Sequence, residues 1–258
     1  LDAWTSKQGR EQNFSQVYFG CIERVSLGMS KYDDYKKQVL ATSQRLCEEG
    51  YFGAKTGSGG NISILVEGEE AIAITPSSMR YSAITLDDVC VVDFDGNPIE
   101  GERKPSVELF MHLGVYKNRM DVNAVVHSHP PYASIFAALN APIPPLFDEI
   151  VYTIGDVVDV TPYGLSGSRE LLDSVVSKLS NRCHCYIMSN HGALSIGATM
   201  DKAVLCLELL EKVASIYYRA LATGRPLVTL SPEATEFFFR NVIAAQDEEI
   251  ARKARMGK

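Results

Sequence analysis

The chain has 258 residues, 46% of them hydrophobic and 22% charged, with a mean hydropathy of −0.03, an ordinary globular balance with enough apolar material for a large core. Its formal net charge of −7 argues against nonspecific binding to nucleic acid or anionic membranes, so any phosphate must be met by a local site. No apolar run reaches the ~18–20 residues needed to cross a bilayer.

The periodicity predicts helices over 10–28 and 33–51; in the second, Tyr35, Val39, Leu40, Leu46 and Cys47 share a stripe at 3.6 spacing. After the glycine-rich 57–60 come three predicted strands, Ile62–Val66, Ala71–Thr75 and Val89–Asp93, with turn signals at Gly68-Glu69 and Asp95-Gly96-Asn97. Ser106 is expected to cap a helix reaching about Asn118, since Pro105 blocks helix on its N-terminal side. A buried strand, Ala124-Val125-Val126, then delivers the chain into His127-Ser128-His129, and Pro130-Pro131 ends it. A helix over Tyr132–Leu139, a proline-rich loop at 141–145, a helix over about 168–180 and a strand over Cys185–Met188 follow. Thr199 is expected to cap a long helix that Gly224 closes, before a final helix over 232–252. With no repeat, linker or low-complexity segment, the reading is one α/β domain over 1–258, with a helical extension at 1–30 and a helical tail at 226–258.

The six cysteines, at 21, 47, 90, 183, 185 and 206, are scattered through apolar stretches, and residues 1–7 lack the basic flank and apolar centre of a secretory signal. Reduced thiols and a cytoplasmic protein are therefore expected. Cys183-His184-Cys185 lacks the second cysteine pair of a structural zinc site.

The chemistry concentrates on histidine. In His127-x-His129, residues two apart on a strand face the same way, so both imidazoles can reach one ion where the strand ends. His191, in Ser189-Asn190-His191-Gly192, follows another predicted strand, and Glu108 precedes the first; together they form a candidate three-histidine metal site with a carboxylate as fourth ligand or base, the pattern of catalytic zinc. His112 and His184 are expected to be packing or surface residues. There is no nucleotide-binding G-x-x-x-x-G-K-[ST] loop.

Five stretches, Gly57-Ser58-Gly59-Gly60-Asn61-Ile62-Ser63, Thr75-Pro76-Ser77-Ser78, Lys104-Pro105-Ser106-Val107-Glu108, Ala124–His129 and Asn190-His191-Gly192, occur in an order and spacing that resemble the class II aldolase/adducin family. The resemblance implies a three-layer αβα fold around a mostly antiparallel sheet and a homotetramer with the site near a subunit interface. It implies Zn2+, one per subunit, on Glu108, His127, His129 and His191, with another divalent ion an alternative. The implied substrate is a ketose 1-phosphate, cut into dihydroxyacetone phosphate and an aldehyde. Glu108 would act as base, and Ser58, Gly59, Asn61, Ser77, Ser78 and Ser106 would bind substrate.

Two positions depart from the family's fuculose-phosphate enzymes. Val107 stands where they place a second serine, leaving one phosphate hydroxyl fewer, so backbone N–H groups are expected to cover the loss. Phe147-Asp148-Glu149 stands where they place a tyrosine proton donor, with Tyr152 close by, which makes Glu149 the candidate acid/base. Glutamate at this place also resembles methylthioribulose-1-phosphate dehydratases, an alternative reading. A sugar-phosphate epimerase is disfavoured by glutamate rather than aspartate at 108, and a non-catalytic adducin-like binding module by the full ligand set.

Overall fold

The computed structural model describes residues 30–54, 57 and 59–256; the helix expected over 10–28 lies outside the described residues. The first described helix is α1 (Asp33–Glu48), whose buried Val39, Leu46 and Cys47 realise the expected stripe. The chain then forms β1 (Asn61–Leu65), β2 (Ala71–Ile74), β3 (Cys90–Asp93) and β4 (Pro98–Glu100). Next come α2 (Leu109–Asn118), β5 (Ala124–Ser128), α3 (Pro131–Leu139), α4 (Asp148–Thr153), β6 (Val160–Thr161) and α5 (Arg169–Val176). The last elements are β7 (Cys185–Met188), β8 (Gly192–Gly197), α6 (Met200–Ala222) and α7 (Pro232–Met256).

The eight strands form one sheet in the order β4-β3-β2-β1-β5-β8-β7-β6. Every neighbouring pair is antiparallel except β6–β7, so the expectation of a mostly antiparallel sheet holds. Both faces are covered. Ile62, Ile64, Val126 and Ala124 pack against α1 and the first turns of α6, while Ala193, Cys185 and Ile187 pack against α3 and the rest of α6. On the opposite face, Ile72, Ile74, Val125, Tyr186 and Leu194 pack against α2 and α5. Helix, sheet, helix is the three-layer αβα arrangement.

The helix boundaries follow their caps. Thr199 accepts from Lys202 N–H at 3.1 Å and starts α6 where expected. Ser106 does not cap α2: its hydroxyl accepts from Glu108 N–H at 3.2 Å, and the regular helix begins only at Leu109. The donor two residues on makes this a local turn, which leaves Glu108 at the helix boundary with non-helical backbone.

Two polar clusters hold the sheet's far end. Arg119 and Asp121 form a buried pair through two 2.8 Å bonds, and Arg119 also donates to the carbonyl of Cys183. Gln246 of α7 accepts from Arg182 and meets buried His184 at 3.0 Å. His184 is thus a hydrogen-bonded packing residue. Among the described residues, no helix is long and apolar enough to cross a membrane.

Candidate active site

Strand register creates the site. Asn61 lies directly opposite His127 in the β1–β5 pair, and Ser63 opposite Val125, so Asn61, Ser63 and His127 share the face covered by α2. Beyond β5, His129 N–H is tied to the carbonyl of Tyr51 at 2.8 Å, fixing the chain as it leaves the sheet. The next turn, Pro130-Pro131, is held by Glu211 of α6, which accepts from the N–H groups of Tyr132 and Ala133 at the start of α3. His191 sits in the turn between β7 and β8, beside Asn190 at φ 52°.

Three glycines make room for these rings. A Cβ on Gly192 would stand 2.5 Å from the Ser128 carbonyl and 2.6 Å from His129 Cδ2. One on Gly59 would meet the Phe52 carbonyl at 2.7 Å and His129 Nδ1 at 3.0 Å, and Gly60 adds a φ of 73°. The crowding at these three glycines comes from the histidines and Phe52.

The result is a cleft of about 190 Å³. It gathers Gly59, Asn61, Ser77, Ser78, Ser106, Glu108, His127, His129 and His191, and it adds Ser166, which the sequence reading missed. Ser166 donates to Glu108 Oε1 at 2.7 Å from the loop before α5. Only its flanking glycines, Gly164 and Gly167, hinted at a shaped loop, and no motif tied it to the histidines. Ser58 lies outside the described residues. Glu149 is not among the cleft's lining residues. It stands exposed on α4, paired with Lys212 at 2.7 Å.

Within the cleft, His127 Nε2 is 3.3 Å from Glu108 Oε2, His191 Nε2 is 3.2 Å from Glu108 Oε1, and the Nε2 atoms of His127 and His129 are 3.1 Å apart. His127 Nδ1 lies 3.0 Å from the carbonyl of Ala193, so it must donate its proton there. The Nε2 lone pair then points at an acceptor-only carboxylate and at a second imidazole. Burial pushes His127 down to about 3 and lowers His129, so neither ring carries a charge at neutral pH to relieve this. Burial also works against a charge on Glu108, while the bonds from His191 and Asn61 favour it, and the carboxyl is held below the usual carboxylate range.

Imidazole and carboxylate atoms converging at this spacing fit a divalent ion. Ligands at ~2.0–2.1 Å from zinc in a tetrahedron are about 3.3–3.4 Å apart, close to these separations. The donor atoms of His127, His129 and His191 all fall within 4.8 Å of one another. Neutral imidazole and carboxylate are also the ligating forms.

The other rim carries hydroxyls. Ser77 Oγ and Ser78 Oγ are 3.1 Å apart, with Ser78 at φ 58°. Ser77 N–H and Ser106 N–H are spent on the carbonyls of Lys104 and Thr75, which lock the two segments side by side. At these two positions the side-chain oxygens, rather than the backbone N–H groups, are what remains for a ligand.

Comparison with known proteins agrees with this architecture. Residues 37–218 match the family model described as Class II Aldolase and Adducin N-terminal domain. The chain belongs to that family. Among class II aldolase relatives, it is similar to the 5-deoxy-D-ribulose 1-phosphate aldolase of Bacillus thuringiensis serovar kurstaki, 35% identical over 191 residues, 74% of this chain and 87% of that one. An L-fuculose phosphate aldolase of Escherichia coli O6:H1 is 33% identical over 197 residues, 76% of this chain and 88% of that one. A solved L-fuculose 1-phosphate aldolase superposes with a TM-score of 0.74 at 31% identity, covering 82% of this chain and 96% of that one.

Proposed function

We propose that the protein is a metal-dependent class II aldolase that reversibly cleaves a ketose 1-phosphate into dihydroxyacetone phosphate and an aldehyde. The observation that carries this reading is the convergence of ligand atoms from His127, His129, His191 and Glu108 on the floor of a hydroxyl-rimmed cleft. The names of the relatives supply the substrate class.

In this reading the three histidines and Glu108 hold one Zn2+ or a similar divalent ion. When bound, the ion supplies Lewis-acid stabilisation of the electron-rich fragment left when C3–C4 breaks next to the C2 carbonyl. In the condensing direction the Glu108 carboxylate takes a proton from C3 and a second acid/base gives one to the oxygen formed at C4; cleavage runs both transfers in reverse, from the protonated Glu108 and the deprotonated second group. Asn61 and Ser166, one on each carboxylate oxygen, orient Glu108 for that transfer. Ser77, Ser78 and Ser106 present hydroxyls to the phosphate. Glu149 is our candidate for the second acid/base.

Because Glu149 is exposed and outside its own chain's cleft, the proposal has it serve a neighbouring subunit of a homotetramer. Exposed Val107, Phe110 and Leu165 around the cleft residues and Phe147 and Tyr152 around Glu149 support burial against other copies. A cytoplasmic setting is supported by the cysteines, all free and buried among the described residues.

The test is release of dihydroxyacetone phosphate from fuculose, ribulose, rhamnulose, 5-deoxyribulose and methylthioribulose 1-phosphates, with and without a chelator. Release that chelator abolishes and zinc restores is the expected result. Loss of methylthioribulose phosphate without that product would assign a dehydratase instead.

A further inference from the structure

Behind the cleft, a chain of buried polar groups runs from α2 through β1 to Glu108. Asn61 Nδ2 donates to Glu108 Oε2 at 2.8 Å. A carboxylate can only accept, so the amide must face it with its nitrogen and turn Oδ1 the other way. There Oδ1 meets His112 Nε2 in a very short contact, in which the ring nitrogen must be the donor. His112 Nδ1 is then the acceptor, and it lies 2.7 Å from Ser63 Oγ, which spends its proton on it. Ser63 Oγ in turn lies 2.8 Å from Tyr116 Oη, which donates to it. Every proton in the run Tyr116, Ser63, His112, Asn61, Glu108 is thereby assigned and points one way.

The scaffold allows little else. His112 is fully buried on α2, four residues after Glu108, so helix geometry places it one turn behind the carboxylate. Ser63 and Asn61 are two apart on β1 and so face α2 together. Burial lowers His112 to about 4, which agrees with a neutral ring that has one donor and one acceptor nitrogen. A polar ring buried at position 112 has to be satisfied at both ends.

We propose that His112 is a positioning residue: with its tautomer set by Ser63, it locks the Asn61 amide so that the nitrogen faces Glu108 and holds that carboxylate toward the three histidines. Its counterpart among metal proteins in general is the outer partner that orients a ligand, whose loss typically costs about 10–100-fold in metal affinity or activity. The inference rests on the proposed metal site but not on which sugar phosphate is cleaved.

The experiment measures Zn2+ affinity by chelator competition, alongside turnover and thermal stability, for wild type, H112F, H112Q, N61A and H112F/N61A. Phe fills the ring's space and removes both bonds, and Gln restores a terminal N–H donor. H112F is expected to lose about 10-fold or more in affinity and H112Q to recover most of it. The double variant should bind no more weakly than N61A alone. Wild-type affinity in H112F, equal loss in H112Q, or additive losses in the double variant each overturn the proposal, since a merely structural role predicts additivity.

If H112F does not fold, Ser63→Ala replaces it, because this change frees the tautomer while removing one oxygen. Its expected result is a smaller loss that vanishes in an N61A background; a loss that persists there overturns the proposal. Wild-type protein that follows this hierarchy for Zn2+ yet releases no dihydroxyacetone phosphate would overturn the aldolase reading alone.

Discussion

Asn61 and His127 lie directly opposite each other across β1 and β5, and both reach Glu108 Oε2, at 2.8 and 3.3 Å. One register pair thus supplies both a donor that orients the carboxylate and an imidazole that shares its ion. A slip of one residue would turn His127 to the other face of the sheet. Replacing His127 with Ala is expected to abolish metal binding and turnover together, beyond the ~10–100-fold typical of an outer-shell loss. Metal content by elemental analysis and the product assay check it; a fully loaded, active variant would remove His127 from the ligand set.

Glu108→Gln separates ligation from proton transfer. The amide keeps one oxygen for an ion but has no basic form. Weakened metal binding and a turnover loss of about 10²–10⁴-fold, the usual worth of a positioned acid/base, are expected. Turnover near wild type at full metal occupancy would exclude Glu108 as base.

Gly192→Ala tests whether the glycine serves the histidines. Its new Cβ meets backbone at Ser128 and the ring of His129, so something on the ligand turn must shift. The expected outcome is a weakened metal site in a protein that still folds, read by Zn2+ titration beside a thermal melt. Unchanged affinity would mean the turn relaxes without moving His129.

These sites differ in how far sequence alone reveals them. His127-x-His129 was legible because strand alternation and two prolines leave few alternatives for where the imidazoles point. His191 was legible as a candidate from its place just after a predicted strand, and the family motif strengthened it, since its distance from His127 in sequence carries no geometry. Ser166 and the partner role of His112 were not legible at all. Both depend on which loop or strand the tertiary fold lays against Glu108, and periodicity holds no record of that. The same limit explains the missed strands. In β8 every residue is buried, so no alternation marks it, and β4 and β6 are three and two residues long. The helix α4 has only six residues and follows the proline-rich loop, too short a run for a 3.6 period to declare itself.

Acid stability gives a prediction away from the site. Arg103 and the N–H and hydroxyl of Thr85 bond Asp88 and lower it from 3.8 to about 2. A depressed carboxyl stabilises the fold above its unfolded value, and that contribution fades as pH falls through the folded value. Because the Arg103 side chain is more than half exposed, solvent screening keeps the stabilisation small. Urea unfolding of Asp88→Asn should therefore lie slightly below wild type at pH 6, with the gap closing between pH 4 and 2. A gap that stays constant down to pH 2 would assign it to packing rather than charge.

Glu149 can be tested for action across subunits. If it is the second acid/base, Glu149→Gln should lose about 10²–10⁴-fold in turnover with its metal intact. Loss of its ion pair with Lys212 is a separate matter, since both partners are about half exposed and such pairs are worth roughly 0–1 kcal/mol. Lys212→Ala should accordingly leave both stability and metal binding close to wild type. The decisive step mixes two inactive proteins, E149Q and E108Q, under conditions that exchange subunits. A cleft built from Glu108 of one chain and Glu149 of another would be whole in part of the hybrids, so activity should return on mixing. Should E149Q be inactive and mixing restore nothing, Glu149 acts only within its own chain, and the segment carrying α4 must move to reach the cleft. Normal turnover in E149Q alone removes it from the reaction and leaves the proton donor to be sought among the cleft hydroxyls.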